Sequence, residues 1–191
     1  MIRETIVSTR ASDGRCHLAP IGVHERDGDE LVIAPFRPSS TLDNLLDRRC
    51  AVVNHCDDVR VFAGCLTGRR DWPVVPAQTV DADRLKVALA HREVVLDRVE
   101  DDAQRPRLVC RVVHRATHAA FAGFNRAQAA VIEGAILVSR LHMLPSEKIE
   151  AEIAYLSIAV DKTAGPAERE AWGWLVERVE AWRSGRAEAV R

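Results

Sequence analysis

The order of the secondary-structure signals is the feature of this chain that most restricts its fold. Segments with strand character occupy much of the first 118 residues, at 4–8, 16–23, 30–34, 50–54, 57–64, 91–99 and 107–114. Helical periodicity then takes over, at 125–142 and in two further segments that start near 146 and 166. A run of strands followed by a run of helices favours a small barrel or sandwich with a helical part, an α+β fold. The same order disfavours an alternating parallel α/β fold.

Tight turns connect the first three predicted strands. Ser12-Asp13-Gly14-Arg15 is typical of a hairpin turn, and Asp27-Gly28-Asp29 forms a second turn signal, so 4–34 is predicted to be a meander. Pro20 implies that the second strand lies at an edge or contains a bulge. The stretch 66–84 contains Pro73 and Pro76 and is predicted to be a loop.

The helical part opens at Asn125, a residue well suited to cap a helix. Pro145-Ser146 and Gly165-Pro166 then separate three predicted helices. We therefore expect a barrel domain at 1–118, a three-helix subdomain at 119–185 packed on the barrel, and a frayed tail at 186–191.

Composition excludes several classes of partner. The chain has 27 basic and 28 acidic residues and a net charge of -1, which predicts neither a nucleic-acid partner nor a membrane-surface partner. No apolar run approaches the ~20 residues that cross a bilayer, and no signal peptide is visible. We expect a cytoplasmic protein. The five cysteines are irregularly spaced, so they predict neither a disulfide framework nor a metal site.

The segment Arg37-Pro38-Ser39-Ser40-Thr41-Leu42-Asp43-Asn44-Leu45 lies where a predicted strand meets a short helix. One arginine, three hydroxyls and the free N–H groups of a helix start are suited to binding a phosphate. The same residues equally predict an ordinary helix start, with Thr41 or Ser40 as the cap and Asn44 at the third position. The segment alone leaves both interpretations open.

Other polar residues give weaker signals. There is no Gly-x-Gly-x-x-Gly or Walker-type motif, and no catalytic triad can be identified by spacing. The histidines are expected to be structural or on the surface, including His17, His24, His55, His114 and His118. Arg126, Glu133 and Arg140 repeat every seven residues on one predicted helix. They either face a ligand through Arg126 or form a solvated stripe with local ion pairs.

Several segments together resemble flavin reductase-like FMN-binding split-barrel proteins. The opening of those proteins is similar to 4–9, Asp13-Gly14 and 18–23, and their phosphate-binding turn is similar to 37–45. The strand that returns along the flavin resembles Val52-Val53-Asn54. The C-terminal part, with Phe124-Asn125-Arg126-Ala127 followed by Glu133 and Arg140, resembles an uncharacterised branch of this superfamily, a domain of unknown function with a helical extension.

The resemblance implies a six-stranded Greek-key split barrel that forms a homodimer with FMN at the subunit interface. It implies roles for residues that match the family by position. The residues implied to contact the phosphate are Arg37, Ser39, Ser40, Thr41 and Asn44. The backbone implied to lie along the isoalloxazine ring is that of Ala19, Pro20 and Ile21. Asn54 would lie near the ring or the ribityl chain, and Arg126 is a further candidate contact.

The function that this resemblance implies is a flavin-dependent oxidoreductase with a small-molecule electron donor and acceptor. Two alternatives remain: a deazaflavin or another phosphorylated cofactor in the same pocket, and a flavin-binding protein without turnover. No catalytic residue is identified, because a flavin carries hydride and electrons itself and needs no protein nucleophile.

Overall fold

Eight strands and five helices make up the computed structural model, which describes residues 1–189, with side chains for 1–185. The strands are β1 Ile2–Arg10, β2 Cys16–Glu25, β3 Glu30–Ile33, β4 Cys50–His55, β5 Val74–Pro76, β6 Asp83–Leu85, β7 Ala90–Glu100 and β8 Arg107–Thr117. The helices are α1 Ser40–Arg48, α2 Val59–Leu66, α3 Arg126–Ser139, α4 Ser146–Thr163 and α5 Pro166–Ala189.

The chain divides into two compact units. The barrel unit comprises Met1–Asp57 and Asp71–Phe121, and the helical unit comprises Asp58–Arg70 and the chain from Ala122 onward. The helical unit therefore includes a segment, 58–70, that interrupts the chain of the barrel unit. The predicted frayed tail, 186–191, lies partly outside the described residues: the backbone of α5 continues to Ala189.

Six strands close the barrel in the order β1-β2-β3-β8-β7-β4, and all neighbouring pairs are antiparallel. This order confirms the predicted Greek-key barrel with additional C-terminal helices. Alternate residues point inward and form the core, as the period of a strand requires; Val7, Val53 and Leu108 are at most 1% exposed. Helix α1 contributes Leu42 and Leu45 to the same core.

The sequence prediction was wrong at 57–64, where a strand was expected and helix α2 is found. The carboxylate of Asp58 caps this helix by accepting a hydrogen bond from the N–H of Arg60 at 3.1 Å. Val59, Val61 and Phe62 suggested alternation, but nearly every residue of α2 is buried. In a short apolar run that is buried on all sides, periodicity does not separate helix from strand.

The stretch 66–84 is also more ordered than the predicted loop. Strands β5 and β6 pair there as a separate two-stranded sheet. Pro76 ends β5, where a residue without an N–H is tolerated. Hydrogen bonds join this two-stranded sheet to the barrel. The N–H of Leu85 donates to the Asn54 side chain at 2.8 Å, and Ser8 Oγ donates to the carbonyl of Asp83 at 2.5 Å.

The helical unit has its own apolar core, to which α2, α3, α4 and α5 all contribute. Asn125 caps α3 as predicted, since its side chain accepts from the N–H of Ala127 at 2.7 Å. Gly134 lets α3 approach α5, because a Cβ at that position would lie 2.8 Å from the ring of Trp172. Within residues 1–189, no helix has both the length and the apolar character of a membrane-spanning segment.

Candidate functional site

The start of α1 presents a set of hydrogen-bond donors at one end of the barrel. The first intrahelical bond runs from the N–H of Asp43 to the carbonyl of Ser39 at 3.1 Å. The N–H groups of Ser40 and Thr41 precede it, so helix geometry gives them no acceptor within the helix. The positive end of the helix dipole lies at the same point. This is the arrangement that binds a phosphate or a carboxylate.

Two arginines and an aromatic ring lie at this helix start. The guanidinium of Arg37 is about half exposed and donates to the carboxylate of Asp101 at 3.2 Å. Arg105 donates to the carbonyl of Ala34 at 3.0 Å, and its guanidinium carbon lies 4.6 Å from the centre of the Phe36 ring. The Phe36 side chain is 61% exposed. The surface beside α1 therefore combines two arginine side chains, one of them paired with Asp101, with an exposed aromatic ring.

The helix cap differs from the sequence prediction. Ser39, not Thr41 or Ser40, is the cap residue, and its hydroxyl accepts from the N–H of Leu42 at 3.3 Å. The predicted cap was therefore wrong by one or two residues, because several adjacent hydroxyls can serve equally well. Thr41 is buried, and Asn44 is buried and donates to the hydroxyl of Thr9 at 3.0 Å. Among the predicted phosphate contacts, Arg37, Ser39 and Ser40 retain accessible side chains.

Strand β2 carries Ala19, Pro20 and Ile21 on a barrel edge that is only partly paired. One edge of β2 pairs with β1 along its whole length, whereas β3 pairs with the other edge only at His24 and Glu25. Among residues 1–189, no strand pairs with the second edge of β2 between Cys16 and Val23. All three residues are half-buried. The barrel is thus split here, and an edge of backbone faces outward.

Asn54 is buried inside the barrel unit, and Arg126 lies on the helical unit. Asn54 is fully buried; its amide donates to the carbonyl of Ile6 at 2.9 Å and to Ser8 Oγ at 3.0 Å, and its oxygen accepts from Leu85. Its side chain is therefore used in joining β1, β4 and β6. Arg126 is the first residue of α3, is exposed, and belongs to the helical unit.

A pocket of about 560 Å³ lies at the other end of the barrel from α1. It is lined by the start of β1, the end of β4, the start of β7 and residues 117–121, and it includes Arg3, His55 and Thr117. A second pocket of about 320 Å³ shares His55 and Thr117 and reaches His91 and Arg92. The first volume is in the range of small-molecule sites. The sequence interpretation did not identify this region.

A buried carboxylate and a buried imidazole of the barrel unit lie beside the second pocket. Glu93 is 0% and His91 2% exposed. One Glu93 oxygen accepts from the N–H of Gln78 at 2.7 Å, and the other accepts from the N–H of Thr79 at 2.6 Å and from its hydroxyl at 2.5 Å. Burial would raise the pKa of Glu93, but these hydrogen bonds outweigh burial and lower the pKa to about 2. Glu93 is an anion at neutral pH.

His91 joins this carboxylate to the surface. Its Nε2 lies 3.2 Å from Glu93 Oε1, and its Nδ1 lies 2.8 Å from Nε2 of the exposed His118. Burial lowers the pKa of His91, against the opposing effect of Glu93. Burial also lowers the pKa of His118. The i, i+2 spacing of His91 and Glu93 was the available sequence signal, since it places both side chains on one face of a strand.

Solved structures with related folds support a common barrel. An FMN-bound DUF447 protein from Methanosarcina mazei aligns over 93% of this chain and 94% of its own, with 21% identity and a TM-score of 0.80. The 2-nitrobenzoate 2-nitroreductase of Pseudomonas fluorescens aligns over 60% of this chain and 64% of its own, with 24% identity and a TM-score of 0.53. An FMN-binding protein from Thermus thermophilus aligns over 60% and 69%, with 19% identity and a TM-score of 0.52. At these identities the likeness establishes the fold.

Sequence profiles identify the family. No match was found among curated proteins. Residues 3–119 match the N-terminal domain of a protein family of unknown function, DUF447, and residues 125–177 match the second domain of the same family. These matches cover most of the chain and follow the change from strands to helices. The chain belongs to the DUF447 family.

Proposed function

We propose that this protein binds FMN and acts as a flavin reductase-like oxidoreductase on a small molecule. One observation carries the proposal: the exposed donors at the start of α1 and the unpaired edge of β2 belong to the same barrel unit. Similar barrels in the Methanosarcina and Thermus proteins are FMN-bound or FMN-binding. This chain shares their fold, so the proposal depends on whether its own residues suit the cofactor.

The start of α1 suits the phosphate group. Free N–H groups at Ser40 and Thr41, the hydroxyl of Ser40 and the guanidinium of Arg37 supply donors of the kind that binds a dianion. Arg37 would share its charge between the phosphate and Asp101, with which it pairs here. The buried side chains of Thr41 and Asn44 hold α1 against the barrel, so in this proposal they position the donors.

The edge of β2 suits a flavin ring. Flavin-binding sites contact the ring through backbone groups and apolar surfaces, and 19–21 offers an edge of backbone between half-buried side chains. A bound FMN would supply reversible hydride and electron transfer. The side chain of Asn54 would act indirectly, by fixing β4 against β1 and β6.

The proposal includes a homodimer, with the cofactor at the interface between copies. The Phe36 ring is 61% exposed beside the proposed phosphate site, so a partner copy at that place would remove an apolar side chain from water. Light scattering of the purified protein, with and without FMN, measures this directly. A monomer in both states contradicts the dimer and leaves the FMN site to be tested separately.

The absorption spectrum of the purified protein is the primary test of the cofactor. We expect a yellow protein, or a colourless one that takes up added FMN in a titration. Mass identification of the released molecule distinguishes FMN from a deazaflavin or another phosphorylated cofactor. Anaerobic mixing with NADH and NADPH then separates an oxidoreductase from a carrier, because the flavin of a carrier stays oxidised. A protein that neither contains nor takes up FMN contradicts the proposal.

Arg37→Ala is expected to weaken FMN binding by about ten- to a hundredfold, since a hydrogen bond to a charged group contributes ~1.5–3 kcal/mol. The melting temperature of the FMN-free protein should stay nearly unchanged, because an exposed ion pair such as Arg37–Asp101 stabilises little. Fluorescence titration with FMN measures the first quantity and thermal unfolding the second.

Arg15→Ala is the matched control for this variant. Arg15 belongs to the same unit, and its side chain is 85% exposed at the first hairpin turn, where it pairs with Asp13. We expect it to leave the FMN dissociation constant unchanged. Equal constants for Arg37→Ala and the wild type would remove Arg37 from the site.

A further inference from the structure

We propose that His91, Glu93 and His114 form a binding site for a divalent transition-metal ion of the Zn²⁺ type. One ring nitrogen of each histidine and a carboxylate oxygen of Glu93 lie within 4.8 Å of one another. The inference is independent of FMN binding, because it rests on a different set of side chains. It also goes beyond the sequence, which predicted no metal site.

Strand register places the three side chains on one face of the barrel wall. His91 and Glu93 are two residues apart on β7 and therefore point the same way. His114 lies directly opposite Glu93 on β8, at the short separation of cross-strand neighbours.

A β-bulge gives His114 this orientation. Val94 pairs with Val112, whereas Glu93 pairs with His114, so β8 has one more residue than β7 at this point. Val94 and Val112 both point into the barrel core. Strict alternation along β8 would turn His114 inward as well, and the extra residue turns it toward Glu93 instead. Bulges that redirect a side chain are frequent next to functional sites.

A ring nitrogen of His114 is available for coordination. Its Nε2 is buried and, within the part of the chain that the structure describes, has no hydrogen-bond partner. A buried polar atom of this kind costs free energy unless something binds it. Coordination to a cation shared with Glu93 satisfies it.

The surrounding contacts are those of supporting residues at a metal centre. The carboxylate of Glu93 is oriented by Gln78 and Thr79, and three donors leave a lone pair of Oε1 directed at His91. The Nδ1 of His91 contacts His118, which fixes the ring while Nε2 points to Glu93. Metal-binding histidines and carboxylates are typically held in this way by outer hydrogen bonds.

The donor set selects the class of ion. Two imidazoles and one carboxylate suit Zn²⁺, Fe²⁺ or Ni²⁺ and disfavour Mg²⁺ and Ca²⁺, which prefer oxygen ligands. Donors around Zn²⁺ lie roughly 3.4 Å apart for bonds of about 2.1 Å in a tetrahedron. The 3.2 Å between His91 Nε2 and Glu93 Oε1 already fits. Three protein ligands leave a fourth position open.

The competing explanation is a hydrogen-bond chain with no ion. In that case His118 donates to His91 Nδ1 and His91 donates from Nε2 to Glu93. Metal binding requires the opposite tautomer, with the proton on His91 Nδ1 and the lone pair of Nε2 on the ion. The two explanations therefore differ in a proton position and in the need for His114.

Zinc binding by the full-length protein tests the proposal. The protein is freed of flavin and metal with a chelator and titrated with Zn²⁺ against a chromophoric competitor. We expect one equivalent to bind with a dissociation constant at or below about 1 µM. Co²⁺ should give d–d absorption without a thiolate charge-transfer band, which excludes the cysteines as ligands.

His114→Gln is the decisive variant. We expect it to weaken Zn²⁺ binding by at least about a hundredfold, because it removes a ligand. His118→Ala removes only a supporting residue and should weaken binding by about ten- to a hundredfold. The melting temperature of the metal-free protein should not fall, because His114 Nε2 has no hydrogen bond to lose. His24→Gln is the matched control, a half-buried histidine on β2 of the same unit, and should bind Zn²⁺ like the wild type.

Two outcomes overturn the proposal. A wild-type protein that binds neither Zn²⁺ nor Co²⁺ at micromolar concentration favours the hydrogen-bond chain. Equal weakening by His114→Gln and His24→Gln places any bound metal elsewhere. Neither outcome bears on FMN uptake, which is measured separately in metal-free buffer.

Discussion

Glu93→Gln is expected to destabilise the barrel unit by about 3 kcal/mol, the cost of removing one member of a buried, charged hydrogen-bond group. The carboxylate accepts from three donors of Gln78 and Thr79. Glutamine has one acceptor oxygen, and its NH₂ group must face a donor, so at least one buried donor loses its partner.

Urea unfolding followed by far-ultraviolet circular dichroism measures this effect, in the presence of a chelator so that no bound metal contributes. Amide hydrogen exchange gives a local readout, because the N–H groups of Gln78 and Thr79 are both bonded to Glu93 and should exchange faster in the variant. The control is Asp47→Asn, since the Asp47 carboxylate is 61% exposed, and it should change stability by less than about 0.5 kcal/mol. Similar unfolding curves for the two variants would show that the hydrogen bonds of Glu93 to Gln78 and Thr79 contribute little to stability.

Gly134→Val should destabilise the helical unit by about 3 kcal/mol, because it overpacks a filled core. A Cβ at Gly134 meets the Trp172 ring at 2.8 Å and Leu175 Cδ1 at 3.2 Å, and both of those residues are buried. A tryptophan ring in a packed core cannot move aside without displacing its neighbours.

Gly173→Val is the matched control on α5, where a Cβ would meet no other part of the described chain within 4 Å. Helix propensity slightly favours valine over glycine there, so this variant should be neutral or mildly stabilising. Tryptophan fluorescence suits the comparison because Trp172, Trp174 and Trp182 all belong to the helical unit. A Gly134→Val protein as stable as Gly173→Val would mean that α3 and α5 can separate at little cost.

The elements with local signals were predictable from the sequence. The turn at Asp13-Gly14, the cap at Asn125 and the break at Pro145 depend on residues a few positions apart. Helix α2 was misread because its residues are buried on nearly every side, which removes the periodic contrast. The capping serine was misplaced because three hydroxyls are adjacent, and the contact of Leu42 with Ser39 decides among them only in three dimensions.

The residues of the two proposed sites differ in the same way. The helix start near 37–41 could be predicted because it is a local structure, whereas its role in binding stays a prediction. The use of Asn54 inside the barrel could not, since its partners Ile6 and Leu85 are distant in sequence. The His91, Glu93 and His114 cluster depends on the pairing register of β7 with β8 and on one inserted residue, and sequence alone fixes neither.

The interruption of the barrel by α2 has a consequence for synthesis on the ribosome. The chain completes α2 at Leu66, but its first helical partner, α3, begins only at Arg126, roughly 60 residues later. At about 5–20 residues per second, translation takes several seconds over that distance. The final barrel strand ends at Thr117, before α3 begins. The barrel can therefore close before α2 packs against the helices that bury Val59 and Ala63. The order of translation thus makes the helical unit the last to assemble.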